Sequence, residues 1–425
     1  MTFVRSSFHL LLAVDHPPYF YISLLHNYSD TVTTSTNLEK TKIAMSYLPP
    51  LGALLLPLTA LLVQPALAAN PYTSSMSETP KDNNPDCDCY VVQSGKDSNT
   101  PEYFQYYRFY DFRNLPGAMS ESPPLLNDTE TAGMMPTWQP DLFNSDAWNY
   151  DWGIQNWSKP ATDDFPTPMN NSLANIFLGE EDSTSYLALR TSRMEDYQTA
   201  GEIENQQKNL MHVSMRIYGR VQGAKGAVAG FFTFYDDDNE SDIEILTDDP
   251  KDKIRYTNQP SVGEDGNEVA AASVGPTDLP RWDDWQTHRI DWLPKNSYWY
   301  LNQKQVAANT YSVPREQSFL VLNMWGDGGE WSGQMNVGDN AEFHIQWIEM
   351  TFNTSGPYAG KAQEDKRDTT SLFGRKRAEK GCKTVCKIDD VKEVGTPEVD
   401  SGAMSMGVSW GFLAVVGLVS VVVGF

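Results

Sequence analysis

The chain has 425 residues, with 32 basic against 56 acidic side chains and a formal net charge of −24 at pH 7. A surface of that sign repels polyphosphates and polyuronates, which argues against nucleic acid or acidic polysaccharide as partners and suits a neutral ligand. The length supports a substantial buried core, and neither a phosphate-cradling glycine loop nor a dinucleotide fingerprint is present to imply a nucleotide or redox cofactor.

In chain order, residues 1–44 show no convincing periodicity and read as an upstream extension. From Met45 the chain restarts like a secretory leader over 45–69, with an apolar stretch at 51–63 and a small-residue cleavage signal at Ala66-Leu67-Ala68. The mature start then falls at Ala69 or Asn70, in a secreted protein. Four cysteines agree with an oxidising compartment: Cys87 and Cys89 before the central region, Cys382 and Cys386 behind it. Three pairings are possible. A Cys87 to Cys89 bridge would span a single residue under strain, so two cross-links between the front and back pairs are favoured. A zinc site is the competing reading, disfavoured by the CxC and CxxxC spacings.

Aromatic residues crowd 103–112 as a first strand pair, and 114–168 follows as a long irregular segment carrying Trp138, Trp148, Trp152 and Trp157. Asn127, Asn156, Asn170 and Asn353 lie in N-x-S/T sequons and suit a glycosylated surface. From 185 onward strands recur at short spacing. Met211, Val213, Met215 and Ile217 alternate with polar residues, Gly219 and 223–226 turn the chain, and further strands are expected at 285–292, 298–306, 318–324 and 343–352. Many short strands with polar turns and no long helical period predict an antiparallel β-sandwich.

The chemistry concentrates at Glu240-Ser241-Asp242-Ile243-Glu244-Ile245-Leu246. A period of two on a strand puts Glu240, Asp242 and Glu244 on one face, with Ile243 and Ile245 on the other. Like charges beside a hydrophobic core raise one another's pKa, and a pair split into one proton donor and one anion is what glycoside hydrolysis requires. Glu240 and Glu244 lie about 13 Å apart along a flat strand, whereas a retaining pair needs about 5 Å, so a concave sheet with both side chains leaning inward must close the gap. The bland alternative is a solvated acidic turn or calcium loop, which Ile243, Ile245 and Leu246 do not suit. His288 is read as a residue facing the cleft, with a structural strand histidine as the other reading. Asn323, Trp325 and Trp331 flank a glycine-rich loop at 326–333 whose close-approaching backbone suits a ligand rim.

Glu240-Ser241-Asp242-Ile243-Glu244 resembles the E-x-D-x-E signature of glycoside hydrolase family 16, the laminarinase and lichenase group, particularly its fungal secreted members. Ala200-Gly201-Glu202-Ile203, the 285–292 stretch, 298–306 and 323–333 match in the same order, together spanning roughly 87–352. Two departures stand out. Ser241 replaces a usual aliphatic residue, and Phe231-Phe232-Thr233-Phe234-Tyr235 stands where a tryptophan is common. The resemblance implies a concanavalin A-like jelly roll of two antiparallel sheets with a concave cleft, over a domain at 70–360. It also implies Glu240 as nucleophile, Glu244 as general acid then base, and Asp242 as the group orienting Glu240. The substrate class is neutral β-glucan, β-1,3- or mixed β-1,3/1,4-linked, with the loop tryptophans at the cleft rim. Family members often hold a structural calcium, whose ligands nothing in this sequence identifies, and no other cofactor is expected.

After the domain, 361–400 reads as a charged linker with the second cysteine pair. Small residues at Ser401 and Gly402, then an uncharged apolar tail at 408–425, form the pattern of a GPI attachment signal, with a transmembrane tail as the other reading. The expected protein is a monomer at the cell surface, held in the outer leaflet. Transglycosylation on the same site and a non-catalytic glucan-binding lectin remain open beside hydrolysis.

Overall fold

The computed structural model of the chain describes residues 86–125, 135–356 and 382–400. The upstream extension, the leader, Asn127, the linker at 361–380 and the tail from Ser401 and Gly402 onward lie outside those residues. All the described residues belong to one compact unit.

Alternation of apolar and polar residues becomes two large, mostly antiparallel sheets across a shared core. The first has eight strands and is built around Leu210–Gly223, flanked by Gln286–Trp292 and Asn340–Thr354. The second has nine and runs through Arg255–Asn258, Glu240–Leu246, Val228–Phe234, Phe319–Trp325 and Gln198–Asn205 as successive neighbours. Between them pack Val213, Met215, Ile217, Ile290, Trp292 and Met350 from the first sheet, against Phe231, Ile243, Ile245, Leu320 and Leu322 from the second. Each such side chain contributes roughly 1.5–3 kcal/mol on burial. A one-residue slip of Glu240–Leu246 would exchange Ile243 and Ile245 for carboxylates, so the apolar set fixes the acids on the outer face.

A third, small sheet covers the outside of the first one. It orders Thr100–Phe104, Cys89–Ser94, Val385–Lys387 and Glu398–Val399, with Cys89–Ser94 parallel to Val385–Lys387. Cys87 is bridged to Cys386 and Cys89 to Cys382, each pair with Cα atoms 5.6 Å apart, and no cysteine is left free. Beneath this sheet lies a buried ionic cluster. Arg289 Nε donates to Asp291 at 2.7 Å, Ser94 Oγ donates to the same carboxylate at 2.6 Å, and Asp389 accepts from Arg216 at 3.0 Å. Removing one partner would strand a buried charge, the costly way to break such a cluster.

Several expectations are corrected. Within 382–400, read as the end of a linker, Val385–Lys387 and Glu398–Val399 are strands of the third sheet, and two bridges tie this stretch to Cys87 and Cys89. The expected strand pair at 103–112 consists of two strands that do not pair with each other: Thr100–Phe104 joins the third sheet and Tyr106–Asp111 pairs with Asn340–Thr354. Gly219 lies inside Leu210–Gly223 at a register shift, where a bulge rather than a turn absorbs it. The single strand expected at 298–306 is a hairpin, Ser297–Leu301 and Lys304–Asn309, turning at Asn302 and Gln303 with φ of 49° and 68°. Among the described residues no helix is long and apolar enough to cross a membrane.

Candidate active site

Glu240, Asp242 and Glu244 sit together on the outer face of the nine-stranded sheet, along one wall of a cleft of about 280 Å³. Their strand has neighbours on both sides. Val228–Phe234 contributes Gly230 opposite Glu244 and Phe232 opposite Asp242, while Arg255 and Thr257 stand opposite the same two acids on the other side. The register continues through Gly230 to Asn323 and from Asn323 to Glu202. Glu202, Asn323, Gly230, Glu244 and Arg255 therefore form one row across five strands. Gly230 is glycine for a spatial reason: a Cβ there would stand 2.4 Å from Asn323 Oδ1. Its absence opens the cleft floor beside Glu244.

Burial raises the pKa of all three acids, most strongly for Glu240 and Asp242. Repulsion adds to that, since Asp242 and Glu244 both push Glu240 up. A side-chain hydrogen bond between Glu240 and Asp242 pushes Glu240 up and Asp242 down, and Gln259 Nε2 donates to Asp242 Oδ2 at 3.2 Å. Glu244 is pushed up to about 7 by burial, against the pull of the Trp331 indole, whose Nε1 donates to Glu244 Oε1 at 3.2 Å, and of the Arg255 guanidinium. An acid that holds its proton to near neutrality, beside a carboxylate that can lose its own, is the division of labour general acid catalysis needs.

The 326–333 loop is held by its own polar groups. Asp327, buried, accepts from the Gly329 backbone at 3.1 Å and from Ser332 Oγ at 2.9 Å. Trp325 and Trp331 pack with Met169, Ala200, Val228, Leu246 and Trp157, forming an aromatic wall on one side of the cleft. Gln259, Ser261, Ser273 and Thr257 give the other side a polar character.

Asn323 lies on the cleft floor, its Nδ2 donating to Glu202 Oε2 at 3.2 Å. His288 does not belong to the site. Residues 288, 290 and 292 share one strand face, so His288 points inward with Ile290 and Trp292; it is 1% exposed, and burial lowers its pKa to about 4. Trp148 and Trp152 are core residues, packed edge-on against Phe143 and Tyr110 respectively, and Trp138 packs half-buried against Tyr197, donating to the Ala174 carbonyl at 2.9 Å. Of the four loop tryptophans only Trp157 reaches the cleft wall, donating to Glu202 Oε1 at 3.2 Å. Among the sequon residues described, Asn156 is exposed, Asn170 half-buried, and Asn353 Oδ1 accepts from the Gln105 backbone at 3.0 Å.

Glu202, Arg255 and Gln259 are the site residues that sequence reasoning gave no role. Glu202 is buried and pushed up to about 7 by that burial, yet accepts two hydrogen bonds. Its presence in the Ala200-Gly201-Glu202-Ile203 match was the available signal. Among the described residues no group of three or more His, Cys, Asp or Glu side chains is arranged to hold a metal ion.

Residues 171–349 match the model of the glycosyl hydrolases family 16. The chain is similar to a β-glucanase of Brevibacillus brevis, 27% identical over 179 residues, which is 39% of this chain and 64% of that enzyme. Among solved structures the chain is similar to the Bacillus licheniformis β-glucanase at 17% identity, covering 48% of this chain and 92% of that one with a TM-score of 0.38. It is also similar to the endo-β-1,3-glucanase of Pyrococcus furiosus at 15% identity, covering 48% and 89% with a TM-score of 0.37.

Proposed function

We propose, on the premise that this chain is a member of glycoside hydrolase family 16 through residues 171–349, that it is a retaining endo-β-glucanase. Its substrate is neutral β-glucan, β-1,3- or mixed β-1,3/1,4-linked. The observation that carries this reading is the row of three carboxyls on one strand face, Glu240 hydrogen-bonded to Asp242 and Glu244 pushed up to about 7.

Glu244 protonates the departing glycosidic oxygen as Glu240 attacks the anomeric carbon, leaving a covalent glycosyl ester on Glu240. A proton passed from Glu240 to Asp242 frees the Glu240 carboxylate for attack, and it returns as the ester breaks. Glu244, now ionised, takes a proton from water in the second step. The aromatic wall of Trp325, Trp331 and Trp157 suits stacking on sugar faces, and Asn323 and Glu202 suit hydrogen bonds to hydroxyls. A sugar hydroxyl entering in place of water would give transglycosylation on the same site. The two disulfides and the neutral substrate fit an enzyme secreted to the cell surface and acting on wall glucan.

The test is chemical rescue. Glu240→Ala should abolish turnover of an unactivated glucan while leaving binding largely intact. Azide with an activated aryl glucoside should then restore cleavage with inversion. Glu244→Ala should keep the first step on that substrate and yield a retained azide product. Inversion in the first-formed wild-type product, read by NMR, would remove the nucleophile role of Glu240. Binding without cleavage of any β-glucan would leave a lectin.

A further inference from the structure

Arg255 lines the cleft opposite Glu244 without being one of the acids, and its guanidinium is fixed from both sides. Asp249, in the turn after the catalytic strand, accepts from Arg255 Nε at 2.8 Å and from Nη2 at 3.1 Å, a bidentate fork. Lys253 Nζ donates to the same carboxylate at 3.1 Å. The guanidinium carbon then lies 4.4 Å from the centre of the Trp331 ring, and Trp331 Nε1 holds Glu244 Oε1 at 3.2 Å. The Trp331 loop is seated against the same turn, since Gly333, at φ 74°, approaches the Asp248 carboxylate so closely that no Cβ fits.

We propose that Arg255 is a positioning residue for Glu244, acting through the Trp331 indole and held in place by Asp249. The inference deepens the glucanase reading and rests on it for the role of Glu244. A planar guanidinium clamped by two hydrogen bonds offers a flat support that lysine cannot supply. Rotation of the indole away from Arg255 would take its N–H off Glu244 and leave the acid without its aim. Arg255 is also the cation whose field reaches Glu244. The other charged groups around that carboxyl, Glu240 and Asp242 on its own strand and Glu330 on the loop rim, are acids that oppose it. Loss of Arg255 therefore moves Glu244 in one direction only, toward holding its proton to higher pH.

The experiment follows the Glu244 carboxyl itself. In protein carrying 13C-labelled glutamate, Glu244→Gln identifies the resonance, and its titration is compared in wild type, Arg255→Met and Arg255→Lys. Arg255→Met should raise the midpoint by about one pH unit and lower glucan turnover roughly tenfold, while the first step on an aryl glucoside with a good leaving group changes little. Arg255→Lys should bring the midpoint back toward wild type and recover turnover only in part. An unchanged midpoint with a raised KM in Arg255→Met would make Arg255 a substrate ligand and overturn the proposal. A wild-type protein inactive on every glucan would remove the glucanase reading, and the titration would still decide the link between Arg255 and Glu244.

Discussion

The two disulfides join nearly the same points in the chain, which makes a quantitative expectation about removing them. Cys87 and Cys386 are 299 residues apart, and closing so long a loop lowers the entropy of the unfolded chain by the equivalent of about 6 kcal/mol in the chain-entropy model. Once that loop is closed, the Cys89 to Cys382 bridge closes only a small ring through the first, about eight residues, worth about 2.5 kcal/mol. Removing either bridge leaves the other holding a large loop, so each single loss should cost only the smaller amount. Removing both should cost about 8 kcal/mol, which exceeds the sum of the singles by about 3 kcal/mol. Urea unfolding of Cys87→Ala/Cys386→Ala, of Cys89→Ala/Cys382→Ala and of the quadruple variant gives the cycle, with the lost packing of each sulfur cancelling in the difference. A quadruple variant no less stable than the two singles predict together would refute the shared-loop reasoning.

Two further outcomes follow from buried groups. Gly230→Ala should displace Asn323 and weaken its hydrogen bond to Glu202, costing about 1–3 kcal/mol in stability by denaturant unfolding and raising KM more than it lowers kcat, since no reacting atom moves. His288 has its folded pKa depressed to about 4 by burial, below the unfolded value of about 6.5, so the stability it permits is complete above the unfolded pKa and is lost as pH falls between the two. Urea unfolding of His288→Gln between pH 7 and pH 4 should lose less stability than wild type, by up to about 3 kcal/mol; parallel profiles would exclude that residue as the source.

What the sequence disclosed was local. Glu240, Asp242 and Glu244 are legible because a strand's period of two needs only adjacent residues, and the apolar set at Ile243 and Ile245 fixes which face they take. The same rule, applied with the wrong parity, misplaced His288, although Ile290 and Trp292 share its face. Arg255, Gln259 and the role of Glu202 depend on which strands become neighbours, and strand order across a sheet leaves no mark in the flanking residues. The hairpin at Asn302 and Gln303 escaped for a different reason: neither residue is glycine, yet both adopt positive φ. Among the loop tryptophans composition was uninformative, since Trp152 in the core and Trp157 at the cleft lie five residues apart in the same polar segment.

The third sheet also sets an orientation. The last described strand, Glu398–Val399, pairs with Val385–Lys387 on the outside of the eight-stranded sheet, while the acids open from the far side of the nine-stranded one. With stacked sheets about 10 Å apart, the chain leaves at Asp400 on the side of the molecule opposite the cleft, two sheet spacings away. Asp400 is thus joined, through Glu398–Val399, Val385–Lys387 and the paired cysteines, to the back of the sandwich and not to the strand of Glu240, Asp242 and Glu244.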